Sequence, residues 1–478
     1  MPPGRGLKVL LAEKGDYANA TSSASSKLIH GGLRYLEHLE LKLVRESLVE
    51  RAELLRAAPH LVTPLKFLLP LYDWQARRTW FVHAGLALYD LLSMGSCPQS
   101  GRLSPAETAS LPHLRQDHLS GVLHYHDCQT DDARLTLAVA LDARARGADI
   151  LNRRAVTAIT ALENGYAVDL DERGQKRRVE TRFIVNAAGP FVSQVDALTE
   201  AAPEPQPLRL VRGSHIVLPM PDPPAPCAYT LQDEGERIVF VFPWLDARFL
   251  VVGTTDVPHY GDPGTAQCSA DEKAYLVHAY NRYFTNPGRT VSERDIIFTW
   301  SGVRALHGGS EDKKPSRISR SPSLAACAQG TGGFVTLYGG KLTTHRALAE
   351  DVLFMLNTFG LEMSGPWTKD VPLYGGSLPR NTLLARAEQG PAAVPLETRR
   401  RWALTYGDKI DDLFDRIEED SAAGEAIAPG VARAELDYAV TTEDAMMAED
   451  FLLRRTKLHL LLDETGRDAV GEWFAKAQ

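Results

Sequence analysis

At 478 residues the chain exceeds a usual single domain of about 100–200 residues, so two or three domains around a large buried core are expected. A hydrophobic share of 44% and a charged share of 24% exclude a disordered or low-complexity protein. The net charge of -8 argues against a general nucleic-acid or anionic-lipid binder, because such partners select for Lys and Arg spread over a broad face.

Five cysteines, Cys97, Cys128, Cys227, Cys268 and Cys327, lie far apart with no CxxC pair, so neither a disulfide framework nor a zinc site is expected and a reducing compartment fits best. No metal is expected elsewhere. No stretch reaches the roughly 18 uninterrupted apolar residues of a spanning helix; the best run, 80–94, contains His83 and Asp90. The start, MPPGRGLKVLLAEK, has neither a long apolar segment nor an Arg/Ser-rich amphipathic one, so neither a signal nor a transit peptide is expected.

The first element is a short apolar run at 8–12 ending in Glu13, the pattern of a buried parallel strand. A Ser/Thr-rich loop follows at 21–26. From 36 to 58, Leu39, Leu43, Leu48, Ala52 and Leu55 recur at helical spacing among charges, which predicts an amphipathic helix ending before Pro59. Strand signals dominate from 182 to 337, at 183–185, 215–218, 238–242, 249–252 and 334–337, with a hairpin turn at 245–248. Beyond Pro372 strand-like runs give way to charged helices, and Gly375, Gly376 and Pro379 mark a linker. The fold class expected is α/β: a discontinuous dinucleotide-binding domain (1–60, 120–200, 300–365), an antiparallel-sheet substrate domain (61–119, 201–299) and a helical C-terminal domain from 370.

An acid at the end of a second Rossmann strand holds the adenosine ribose, normally about 20 residues after a GxGxxG turn. Only twelve residues precede Glu13, and Gly4-Arg5-Gly6 lies before a strand instead of after one. Read alone, Glu13 is a surface charge following a strand. The stretch from Thr21 through Ser22, Ser26 and Lys27 to Gly31-Gly32 suits a loop wrapped round phosphate or a flavin ring, since small side chains and glycines let the backbone approach closely. Arg34 and Tyr35 would project a cation and a phenol into the same pocket. Read without context, the stretch is equally a Ser-rich linker entering a helix.

Eight motifs in chain order, TSSASSKLIHGGLRYLEH (21–38), DCQTDDARL (127–135), NAAGP (186–190), RGSHIV (212–217), GTTD (253–256), SGVR (301–304), YGGKLTTHR (338–346) and EDFLLRRTKL (449–458), resemble bacterial FAD-dependent glycerol-3-phosphate dehydrogenases. The resemblance implies an FAD-binding Rossmann-like domain without its GxGxxG segment, and weak FAD affinity is the expectation that follows. It implies cofactor contacts from Glu13, Thr21, Ser22, Ser26, Lys27, Gly31, Gly32, Val156, Ala188, Gly189, Gly340, Lys341, Leu342 and Thr343. The turn at Gly339-Gly340 lies between a strand and a helix start, where free amides and a positive dipole end suit a reduced flavin.

The implied substrate, sn-glycerol 3-phosphate, carries a dianion, for which Arg34, Arg304 and Lys341 are the expected cations, with Asp256 beside them. Each cation taken singly reads as a surface ion-pair partner. His215 is the first choice as base for the hydroxyl proton, because imidazole titrates near neutrality; Tyr35, Thr255 and Asp256 are the alternatives for base or positioning. The family passes its electrons to membrane quinone, which implies peripheral association with the inner face of the cytoplasmic membrane. The basic, aromatic and apolar segment from Arg77 and Arg78 through Trp80 to Leu92 is the candidate contact, though its pattern equally fits a buried helix. A homodimer is possible on this pattern. Two other readings stay open: an oxidase that reduces oxygen on the same scaffold, and a truncated paralogue with a binding role.

Overall fold

The computed structural model describes residues 3–75, 79–233, 237–286, 289–308 and 321–477. At its centre is a ten-stranded sheet whose main path runs Val257–Pro258, Leu208–Pro219, Phe249–Gly253, Ile238–Trp244, Ala228–Gln232, Val62–Tyr72, Leu119–Thr130 and Leu28–Ile29. Phe298–His307 joins it on Leu208–Pro219, in antiparallel register from Leu208 opposite His307 to Val217 opposite Phe298. Both faces are covered, which is why its strands read as continuous apolar runs and not as alternation. Ile216, Val241 and Val252 pack on one face against Leu276, Tyr280 and Tyr283 of the helix Ala270–Tyr283. Their neighbours Val217, Phe242 and Val251 pack on the other face with Leu48, Leu86 and Tyr89 from the helices Leu41–Ala57 and Thr79–Ser93.

The helix expected from 36 begins later, at Leu41, because Gly32 (φ 77°) and Leu39 (φ 56°) adopt left-handed conformations and confine 33–38 to a tight 3₁₀ segment. The hairpin closes at Leu245, as expected. The expected divisions at 120 and 300 run through Leu119–Thr130 and Phe298–His307, strands of the one large sheet.

Within the large sheet Ala228–Gln232 pairs in parallel with Val62–Tyr72, and further parallel pairs lie in smaller units. Leu10–Ala12 pairs in parallel with Asp149–Leu151, and Phe183–Asn186 pairs in parallel with Gly332–Tyr338, whose other side takes Ser323–Gln329 antiparallel. These two sheets do not join; Leu11 and Val185, 42% and 43% exposed, face the same cavity from the two of them. From Arg380 onward the chain is helical around Trp402, Tyr406, Leu413 and Phe414, apart from one short pair, Ala426–Ala428 with Val431–Ala432, too brief to leave a sequence signal.

The C-terminal domain is bolted to the rest by buried ion pairs. Asp16 accepts from Arg454 Nε (2.6 Å) and from Arg455 Nη1 (2.6 Å) and Nη2 (2.8 Å), while Asp450 accepts from Arg153 Nη2 at 2.7 Å. Arg134 bonds Glu443 at 2.6 Å, and Lys457 reaches Asp131. The motif EDFLLRRTKL is therefore the docking segment, with Arg455 only 1% exposed.

Candidate functional site

A cavity of about 2340 Å³ lies between the parallel sheets, the Ser/Thr loop and the edge of the large sheet. Small-ligand pockets are typically about 300–1,000 Å³, so the space exceeds what one compact substrate needs.

One wall is built from turns that leave no side chain in the way. Gly189 (φ 58°) has nothing within 4 Å of where a Cβ would stand, and Gly339 and Gly340 are at φ 78° and 102°. Leu342 and Thr343 line the cavity just before the helix His345–Thr358, so the positive end of that helix lies at the wall. Glu13, at the end of Leu10–Ala12, lines it too and accepts the Gly15 amide at 2.8 Å; burial raises its carboxyl above the usual range.

The Ser/Thr loop is held from outside the cavity. Asp132 Oδ2 accepts the Ser25 amide (3.0 Å) and hydroxyl (2.7 Å), Trp300 Nε1 donates to the Ser25 carbonyl (3.0 Å), and Thr21 donates to the Val303 carbonyl (2.7 Å). Gly302 is needed here, since a Cβ would stand 2.8 Å from the Ala24 carbonyl.

The opposite wall carries the charge. Arg304 Nη1 donates to Asp256 Oδ1 at 2.5 Å and Nη2 to Thr254 Oγ1 at 3.2 Å; all three residues line the cavity. Gly213 makes room for this pair, because a Cβ there would meet Thr254 Oγ1 at 2.7 Å and Arg304 Nη2 at 2.8 Å. Lys341 Nζ lies 4.0 Å over the Tyr35 ring. Behind the wall, the Glu272 carboxylate ties the strand motifs together, accepting from Thr255 Oγ1 (2.6 Å) and Ser214 Oγ (2.8 Å) and pairing with Arg212 (2.7 Å).

His215 stacks on Trp300 with ring centroids 5.0 Å apart, and its Nε2 lies 3.0 Å from Ser26 Oγ. Its Nδ1 is buried without a hydrogen-bond partner. Burial, reinforced by the Arg304 and Lys27 charges, holds the ring well below its ordinary pKa, so it is neutral at neutral pH.

The FAD dependent oxidoreductase family model matches residues 4–346, and the C-terminal domain of alpha-glycerophosphate oxidase matches 366–475. The chain is 39% identical over 98% of its length to a glycerol-3-phosphate dehydrogenase of Pseudomonas aeruginosa, of which 91% is covered. The chain belongs to the FAD-dependent glycerol-3-phosphate dehydrogenase family. A D-erythritol 1-phosphate dehydrogenase of Brucella abortus is 37% identical over 99% of the chain and 94% of that protein. A glycerol-3-phosphate dehydrogenase of Bacillus halodurans, solved in complex with FAD, superposes with a TM-score of 0.75 at 25% identity, covering 99% of this chain and 86% of that one.

One wall thus offers glycine turns and a helix end and the other offers cations. FAD is the cofactor. The structure brings Glu13, Thr21, Ser22, Ser26, Gly32, Tyr35, Val156, Ala188, Gly189, Asp256, Arg304, Gly340, Lys341, Leu342 and Thr343 to the one cavity. Four expected residues stand outside its lining. Lys27 is buried, its ammonium donating to Asp132 Oδ1 (2.8 Å) and the Ser23 carbonyl (3.0 Å), so it holds the loop from behind. Gly31 is a packing glycine: its amide donates to Tyr89 Oη at 2.8 Å, and a Cβ would meet Leu48 at 2.5 Å. Thr255 is turned inward to Glu272, and His215 stands one hydroxyl back, behind Ser26. The side chain of Arg34 and residues Arg77 and Arg78 lie outside the described residues.

Thr254 was missed by sequence reasoning. Thr254 and Thr255 follow the strand Phe249–Gly253, and GTTD gives no sign of which threonine lines the cavity. Asp132 and Glu272, which position the loop and the strand motifs, sit on helices 107 and 58 residues from the hydroxyls they bind, at Ser25 and Ser214.

Proposed function

We propose that the chain oxidises sn-glycerol 3-phosphate to dihydroxyacetone phosphate and passes the electrons to quinone. The observation that carries this reading is the meeting, in one cavity, of a dinucleotide wall with the Arg304–Asp256 pair and with Ser26, which His215 backs from behind the lining. FAD in this site supplies the hydride acceptor. Arg304 and Lys341 bind the phosphate dianion, and Asp256 fixes the Arg304 fork so that its donors point one way. Ser26 receives the hydroxyl proton and hands its own to His215 Nε2, which accepts in the neutral tautomer that carries its proton on Nδ1. The Brucella relative's name makes a longer polyol phosphate the natural competitor, to be compared by kcat/KM. Purified with FAD, the protein should bleach at about 450 nm on anaerobic addition of glycerol 3-phosphate and recolour on adding a soluble quinone. A flavin that stays oxidised sinks the proposal, and recolouring by oxygen alone, with stoichiometric peroxide, supports an oxidase instead.

The electron acceptor is reached from a membrane surface. The helix Thr79–Ser93 buries Val82, Leu86 and Tyr89 and turns Trp80 (66% exposed) and Leu91 (74%) outward, with Leu39 (81%) on the neighbouring segment. Leu39, Phe81, Ala84 and Leu88 also line the cavity, so the apolar face and the cavity mouth are continuous. No helix among the described residues is long and apolar enough to cross a membrane, which suits contact from one side. Trp80→Ser with Leu91→Ser should abolish flotation with phospholipid vesicles and leave flavin bleaching intact; undiminished flotation would show that another surface makes the contact.

A further inference from the structure

Cys97 and Cys128 are 31 residues apart in a chain whose composition predicts no disulfide, yet both pack in one apolar cluster. Cys128 lies on the strand Leu119–Thr130 and is fully buried, in an apolar cluster with Ile29, Leu54, Leu135 and Ala138. Cys97 follows the helix Thr79–Ser93, packs on the same cluster and is only partly buried, so it joins an interior thiol to solvent. Its loop is tethered at Ser96, whose Oγ accepts from Arg51 Nη2 at 3.0 Å.

Arg51 is 0% exposed and stands against this pair. Its Nη1 is committed to Asp127 Oδ1 (2.6 Å) and the His126 carbonyl (2.9 Å), while its Nε is buried with no hydrogen-bond partner. An unpartnered guanidinium N–H beside a thiol is a ready donor to a thiolate, and leaving it unmade is costly. Interaction with the Cys128 thiol, then the Arg51 charge, draws the Cys97 thiol below its ordinary range against the opposing effect of burial, whereas burial raises those of Cys268 and Cys327.

We propose that Cys97 and Cys128 form a peroxide-reactive dithiol that closes to a disulfide, with Cys97 as the attacking sulfur, Arg51 as the cation that supports it and Cys128 as the resolving thiol. The Cys97 thiolate attacks one oxygen of a hydroperoxide; the O–O bond breaks, and the departing oxygen leaves as water or alcohol once protonated. This gives a sulfenic acid at Cys97. The Cys128 sulfur then attacks Cys97, the S–O bond breaks, and the hydroxide released takes the Cys128 proton to leave as water. In sum, two thiols lose two electrons and two protons, and the hydroperoxide gains both. The bridge ties the end of the membrane-facing helix to the central sheet, one residue from the Asp127 that also holds the Gly31 amide at 3.3 Å.

The whole chain, reduced and then treated with stoichiometric hydrogen peroxide, is digested without reductant and read by mass spectrometry. A peptide cross-linked through Cys97 and Cys128, reversed by dithiothreitol and lost in Cys97→Ser and in Cys128→Ser, is the expected result. With Cys128→Ser, dimedone should capture the sulfenic acid at Cys97. Iodoacetamide should modify Cys97 at least about tenfold faster than Cys268 or Cys327, since the Cys97 thiol lies below its ordinary range and theirs above it, and each pKa unit is about tenfold in thiolate. Absence of the cross-link with Cys97 unmodified or carried to sulfinic acid overturns the proposal, as does equal alkylation of the three half-buried thiols.

Discussion

Arg304→Ala is expected to lower kcat/KM for glycerol 3-phosphate by on the order of 10²–10³-fold while the flavin spectrum and Tm stay near those of the parent. Truncating one member of a partly buried charge pair typically costs about 2–5 kcal/mol, and each 1.36 kcal/mol is a factor of ten. Two contributions act in the same direction here. The phosphate loses a donor fork, and the Asp256 carboxylate, now held by Arg304 at 2.5 Å, is left facing an incoming dianion. Adding Asp256→Asn to Arg304→Ala should therefore recover part of the loss, giving an interaction term of opposite sign to that of two independent residues. Arg304→Lys keeps the charge but not the fork, and should fall between the two. Kinetics indistinguishable from the parent would take Arg304 out of the substrate pocket.

The second large effect lies far from the chemistry. Asp16→Asn should destabilise the protein by about 3–5 kcal/mol, the usual cost of breaking a buried ion pair, because Arg454 and Arg455 stay buried beside a neutral amide. The C-terminal helices should then become accessible to protease at the connection before Arg380, and the urea midpoint should fall. Asp16 is also three residues from Glu13, and its loop is tied to the cavity rim through backbone bonds from Arg153 to Gly15 and from Arg154 to Glu13. FAD should accordingly bind less tightly to the variant. Unchanged FAD titration with a lowered midpoint would confine Asp16 to structure. A midpoint unchanged within about 0.5 kcal/mol would show that the network contributes nothing net, which some buried pairs do.

The sequence made the strands legible because the large sheet is buried on both faces, so runs such as 238–242 and 249–252 are apolar throughout. Glycine turns were legible for a related reason: Gly340 and Gly189 sit where only an open backbone fits, and the motif keeps them beside strand ends. Residues whose role depends on a remote partner were not. Lys27, beside serines in a loop, reads as a phosphate ligand until Asp132 is seen to take its charge. Arg454 and Arg455, in a charged helix, read as solvated surface, although their carboxylate lies more than 430 residues away in sequence. Membership of the dehydrogenase family was within reach of the motifs; which of two adjacent threonines lines the cavity was not.

The Glu13–Tyr17 segment serves two clients, since one end borders the cofactor cavity and the other is gripped by the C-terminal arginines. Linkage makes that sharing reciprocal: whatever factor docking contributes to FAD affinity, FAD returns to docking. Holoenzyme and apoenzyme are thus set to differ at the C-terminus as well as around the cavity, and the last hundred residues become a remote gauge of whether the cavity is filled.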